Sequence, residues 1–215
     1  MKKENIKKLL SGCSLLALFA IWTILASVVN VGPIGPEGSA VGFAAFNGWF
    51  HRSIGVHLSL YTLTDLLSRI PIGLVALFGV MGLFQWIKRK KFFAVDRSIL
   101  TLGILYAATA GAFAYFEIFP VNYRPVLIEG VLEASYPSST TLLVMCIVPT
   151  AAMDLRNRIC NKTLANIVFW SLMAFALFMI LCRLISGVHW LTDIIGGLIF
   201  GGAIVVFYRA INSEK

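Results

Sequence analysis

The sequence predicts an all-α integral membrane protein: a six-transmembrane-helix bundle with an outer interfacial segment. Three observations predict it. Of the 215 residues, 59% are hydrophobic and only 13% charged, about half the roughly 25% of a soluble domain. The mean hydropathy is +0.86. Apolar stretches of spanning length recur six times, and most of the cations fall in alternate gaps between them.

The stretches cover residues 9–29, 70–87, 99–119, 138–155, 163–181 and 191–208. Each approaches the roughly 20 residues that a bilayer core requires. They use the whole chain, so a single membrane-embedded domain over 1–215 is expected.

Lys2, Lys3, Lys7 and Lys8 precede the first stretch, and Lys88, Arg89, Lys90, Lys91 and Arg97 separate the second from the third. Arg156, Arg158 and Lys162 separate the fourth from the fifth, while Arg209 and Lys215 follow the sixth. If the helices alternate in direction, these 14 of the 18 cations share one side. By the positive-inside rule that side is cytoplasmic, with both termini on it. Arg52, Arg69, Arg124 and Arg183 remain on the other face. The net charge of +8 is therefore a topology signal facing a bilayer, and no nucleic-acid partner is expected. Short inner loops with this pattern fit a bacterial plasma membrane.

Cys13, Cys146, Cys160 and Cys182 show no paired spacing, which predicts neither a disulfide framework nor a zinc site. LSGC at 10–13 resembles a lipoprotein cleavage box. Only two apolar residues, Leu9 and Leu10, stand between Lys8 and Ser11, whereas a signal peptide needs about 7–15 before its cut. An uncleaved first helix is expected.

The longest loop, 30–69, opens with VGPIGPEGS, whose prolines and glycines oppose regular structure. The apolar run 41–50 is too short to span, and Phe46, Trp49 and Phe50 suit the interface, as an anchor or as a lid over a site reached by lipid. His51 and His57 stand beside it. In the short basic loop, Asp96 and Ser98 are expected to cap the third helix. The loop 120–137 carries Arg124, Glu129 and Glu133 and leads into SSTT at the start of the fourth helix.

The chemistry concentrates in CRLISGVHWLTD. His189 and Asp193, four apart, share a helix face and can bond directly or through a short bridge. A carboxylate acting on one imidazole nitrogen leaves the other free as base or nucleophile. Arg183 adds a planar cation suited to phosphate. Alternation of the spans brings this segment, Arg124-Pro125 and Pro137-Ser138-Ser139-Thr140 to one membrane face. Two helix starts, with their free N–H groups, and two arginines then describe an anion pocket. Singly, Arg183 reads as a snorkelling helix end, Asp193 as a cap and Ser138 and Ser139 as N-caps; jointly they read as a phosphate site.

These residues resemble the type 2 phosphatidic acid phosphatase family of membrane lipid phosphatases, related in active site to vanadium-dependent haloperoxidases. That family shows Lys-x6-Arg-Pro, Pro-Ser-Gly-His and Ser-Arg-x5-His-x3-Asp. Here the third motif is Cys182-Arg183-x5-His189-x3-Asp193. The first keeps Arg124-Pro125 but has Glu117 in the lysine position, with Arg52 or Arg69 as candidate substitutes. The second has Thr140 in the histidine position.

The resemblance implies that His189 attacks phosphorus to form a phosphohistidine while Asp193 orients the ring. It implies that Arg124, Arg183 and the backbone of Ser138 and Ser139 hold the phosphoryl oxygens. It implies a phosphorylated lipid as substrate, with no cofactor and no metal. A threonine hydroxyl cannot act as the general acid that the family histidine supplies, so an isoprenoid (undecaprenyl) diphosphate is expected over phosphatidic acid. A silent, lipid-binding or partner-binding relative is the alternative. A small transporter is a third class, disfavoured because its polar groups would sit near the midplane.

Overall fold

The computed structural model describes residues 3–212; Lys2 and Lys215, counted above among the topology cations, lie outside them. The helices are α1 (Lys3–Val28), α2 (Ala44–Ile54), α3 (Leu58–Leu67), α4 (Arg69–Arg89), α5 (Arg97–Ile118), α6 (Ser139–Arg158), α7 (Lys162–Ile185) and α8 (Leu191–Asn212). Six helical segments are long and apolar enough to cross a bilayer, and α3 with α4 forms one of them, Leu58–Arg89.

The least apolar span is the best protected. In α6, 67% of the most hydropathic window is buried, against 17% in α1 and α7. Small and polar residues (Thr140, Thr141, Thr150, Ala151, Ala152) occupy its buried face. They let α7, α8, α5 and α4 approach it from all sides. Gly201 of α8 marks the tightest approach, since a Cβ there would lie 2.3 Å from Cβ of Met145. A core of Phe19, Phe116, Tyr136 and Phe200 closes the bundle near the site.

Two expectations are corrected. The stretch 30–69 is not a loop throughout: α2 occupies Ala44–Ile54, and α3 extends the second span back to Leu58. Thr62, Thr64, Asp65 and Ser68 interrupt the apolar pattern there, which hid the helix; Thr62 and Thr64 return their hydroxyls to carbonyls one turn back. Asp96 precedes α5, but its side chain makes no cap bond. It accepts instead from Gln85, Arg89 and Arg158, while Ser98 accepts from Arg158. Asp154 joins Arg158 to Tyr208. This clasp ties α4, α5, α6 and α8 together at the basic end of the bundle.

The polar loop 120–137 is an irregular hairpin. Isolated bridges join Tyr123 to Ala134 and Ile128 to Val131. Glu129 and Gly130 at its tip have φ of 51° and 78°, the left-handed pair that suits a two-residue hairpin turn. Its two arms deliver Asn122, Arg124 and Ser135 to one place.

Candidate active site

At the end of the bundle opposite the clasp, three elements are pinned around the start of α8. Trp22 of α1 donates to the Thr192 carbonyl. Asn47 of α2, fully buried, donates to Thr192 Oγ1 and accepts from the Thr192 N–H. Trp190 Nε1 donates to the Tyr123 carbonyl at 2.7 Å. The linker before α8 is clamped as well. His57 N donates to the Ser186 carbonyl, and His51 Nε2 donates to the Gly187 carbonyl at 3.0 Å. Gly187 has φ +66°, and a Cβ there would sit 2.0 Å from the Gly55 carbonyl oxygen. His51 and His57 thus support the linker and do not enter the pocket.

His189 and Asp193 come together through a third residue. Their closest approach, 3.9 Å from Nδ1 to Oδ2, is too long for a hydrogen bond. Ser135 fills the gap: its hydroxyl donates to Asp193 Oδ2 at 2.5 Å and lies 3.0 Å from His189 Nδ1. The Ser135 carbonyl lies 3.1 Å from the same nitrogen. With the hydroxyl hydrogen committed to a carboxylate, both Ser135 oxygens act as acceptors toward Nδ1, which therefore carries the ring hydrogen. Nε2 keeps its lone pair. Asp193 is held in turn by Asn122 Nδ2 (3.0 Å), the Trp190 N–H (2.9 Å) and Thr192 Oγ1 (3.4 Å). It caps α8 and serves the site at once. Ser135 and Asn122 carry no sequence motif of their own; Ser135 becomes legible only as the residue two before Pro137.

The cations flank this relay. Arg183, at 2% exposure, does not snorkel: its Nη1 donates to Thr64 Oγ1, and its guanidinium lies 4.7 Å from the Tyr61 ring centre. The Arg124 guanidinium lies 5.6 Å from the same ring and pairs with Glu133 at 3.0 Å. Burial, then the charges of Arg183 and Arg124, hold the His189 pKa well below its usual 6.5, so the ring is neutral.

Six buried side-chain nitrogen or oxygen atoms among the described residues lack a hydrogen-bond partner, and five cluster here: Asn122 Oδ1, Arg124 Nε and Nη1, Arg183 Nε and His189 Nε2. Buried polar groups are normally satisfied. Four orphaned nitrogens, three of them cationic N–H donors beside an imidazole lone pair, describe a receptor for a tetrahedral oxyanion.

The second motif is split. Ser138 is fully buried and caps α6, accepting from Thr141 Oγ1 at 3.1 Å and from Thr141 N at 3.5 Å. Ser139 and Thr140 instead line a cleft of about 420 Å³ between α3–α4 and α5–α6. Ile72, Val75, Phe113 and Leu143 form its apolar walls. Val75 and Tyr106 also line a second apolar cleft of about 800 Å³ deeper between α4 and α5. Glu117 lies near the rim beside Ser135 and Ser139. Neither Arg52 nor Arg69 bonds to Arg124, Arg183 or His189 among the described residues, and Arg52 folds back against Gly48 of its own helix.

A polytopic helical bundle with unpartnered arginine and imidazole nitrogens buried at one end is what fold and geometry define. Residues 114–215 match the family model of the PAP2 superfamily. Its fold is similar to the crystal structure of the first transmembrane PAP2 type phosphatidylglycerolphosphate phosphatase, from Bacillus subtilis. The TM-score is 0.57 at 18% identity, with 93% of each chain covered. No curated protein gives a significant match.

Proposed function

We propose that the protein is a membrane lipid phosphatase that works through a phosphohistidine. His189 Nε2 attacks phosphorus, and Ser135 passes the orienting influence of Asp193 to Nδ1 as positive charge develops on the ring. Arg124 and Arg183 take the phosphoryl oxygens, each donor worth about 10²–10³ in rate. Water then cleaves the phosphorus–nitrogen bond. The four orphaned nitrogens of Arg124, Arg183 and His189, all buried, carry this reading. On the same reading the site faces outward from a bacterial plasma membrane, with both termini cytoplasmic.

The favoured substrate is an isoprenoid diphosphate. Its leaving phosphate has a pKa of about 6 and departs with little help, which suits a site with threonine where the family has histidine. The two apolar clefts that meet at Val75 and Tyr106 offer room for a long chain. Phosphate release from undecaprenyl diphosphate and from phosphatidic acid tests this. Release lost in His189→Ala supports the enzyme. Thr140 also motivates the second reading, a silent relative: no release from either lipid, with lipid binding retained, would establish that instead.

A further inference from the structure

We propose that Asp65 donates the proton to the departing lipid oxygen, the part that Thr140 cannot play. The inference rests on the phosphatase reading and deepens it by naming the acid.

Asp65 follows Tyr61 by four residues on α3, so the two share a face. Tyr61 is the ring against which both arginines pack. The preceding residue, Thr64, accepts from Arg183, and Asp65 lies near that guanidinium. Asp65 lines the same cleft as Thr140, from the facing helix, with Ser68 and Ser139 at the polar end. Among the described residues its carboxyl group makes no hydrogen bond or ion pair, and Ser68 reaches only its backbone carbonyl. A carboxyl group about 10 Å along a transmembrane helix from its start is costly without a purpose. Here it stands in the cleft that also holds Ser139 and Thr140, the residue in the position of the family's acid.

The step balances as follows. The bond from His189 Nε2 to phosphorus forms as the bond from phosphorus to the lipid oxygen breaks, and that oxygen takes the proton of the Asp65 carboxylic acid. The resulting carboxylate accepts a proton from the water that attacks the phosphohistidine. Inorganic phosphate leaves, and both residues return to their starting forms.

The test compares leaving groups in the full chain. With phosphatidic acid, whose leaving group is an alkoxide, Asp65→Asn should lower kcat by about 10²–10³-fold. With undecaprenyl diphosphate the loss should be at least tenfold smaller. Asp65→Glu should recover much of the phosphatidic acid activity, and adding Thr140→His to Asp65→Asn should restore it through the family's own acid. Orthovanadate binding by each variant reports an intact pocket. Equal losses with both lipids, or no loss, overturn the role of Asp65 while leaving the phosphatase reading standing. Release that survives His189→Ala, or none from wild type with either lipid, overturns the phosphatase reading and this inference with it.

Discussion

The two polar ends of the bundle are built from the same residue types and differ in how they are satisfied. At the basic end, Arg158 meets Asp154, Asp96 and Ser98, and Asp154 also takes the Tyr208 hydroxyl. At the other end, Arg124 and Arg183 share one ring, repel each other and keep orphaned N–H groups. A charge cluster closed on itself holds helices together. One left open to an anion stores the capacity to bind it, at a cost to the free protein.

The comparison breaks if Arg183 and Arg158 respond alike to removal of their charge. Arg183→Met should lower phosphate release by about 10²–10³-fold while raising the Tm in detergent, because an incompletely partnered buried cation is gone. Arg158→Met strands the buried Asp154 carboxylate and should cost about 3 kcal/mol of stability, with kcat per folded molecule close to wild type. A falling Tm for Arg183→Met would mean that the site arginine is structural.

The six spans were legible because composition and length decide them. The third motif was legible as a spacing but not as a shared helix face: His189 lies two residues before α8, in the linker, and Ser135 bridges it to Asp193. The rest depends on contacts distant in the chain. Nothing local to Ser135 says that a hairpin will place it between His189 and Asp193. Nothing local to Asp96 says that Arg158, 62 residues away, will claim it before the helix does. α3 was lost for a different reason: its side-chain hydroxyls satisfy themselves on its own backbone, so a polar sequence became a membrane helix without announcing one.

A smaller effect sharpens the contrast through linkage. Phosphate or orthovanadate at about 100 times its Kd should stabilise the wild type by about 2.7 kcal/mol. Arg183→Met should lose most of that gain and Arg158→Met should keep it. An equal gain in all three would place the anion elsewhere.

Acid should also separate the two ends. His189 is held below its usual 6.5, so the unfolded chain binds the extra proton first. Stability from this group is complete above about pH 6.5 and falls as pH drops below it, by up to about 1.4 kcal/mol per unit. At the clasp, burial alone would raise Asp96, but bonds from Arg158, Gln85 and Arg89 outweigh it and hold the pKa at about 2 against 3.8. Its contribution is present above pH 3.8 and is lost as pH falls toward 2. Stability measured from pH 7 to 5 should therefore slope downward more steeply in the wild type than in His189→Gln, with Asp96→Asn following the wild-type slope.

The smallest expected effect divides the two roles of one serine. Ser138 caps α6 through its hydroxyl, and its N–H, expected to hold a phosphoryl oxygen, donates instead to the Asp193 carbonyl and joins α6 to α8. Ser138→Ala removes the cap and should cost about 1 kcal/mol. Ser138→Asp can cap equally well, and its charge suits a helix N-terminus, but it sets an anion beside the phosphoryl group. If the hydroxyl serves only the helix, aspartate should restore the Tm lost in the alanine variant while raising KM for both lipids. A Tm left low by aspartate would show that the fully buried position rejects the charge outright, and that the open end tolerates anions only where Arg124 and Arg183 point.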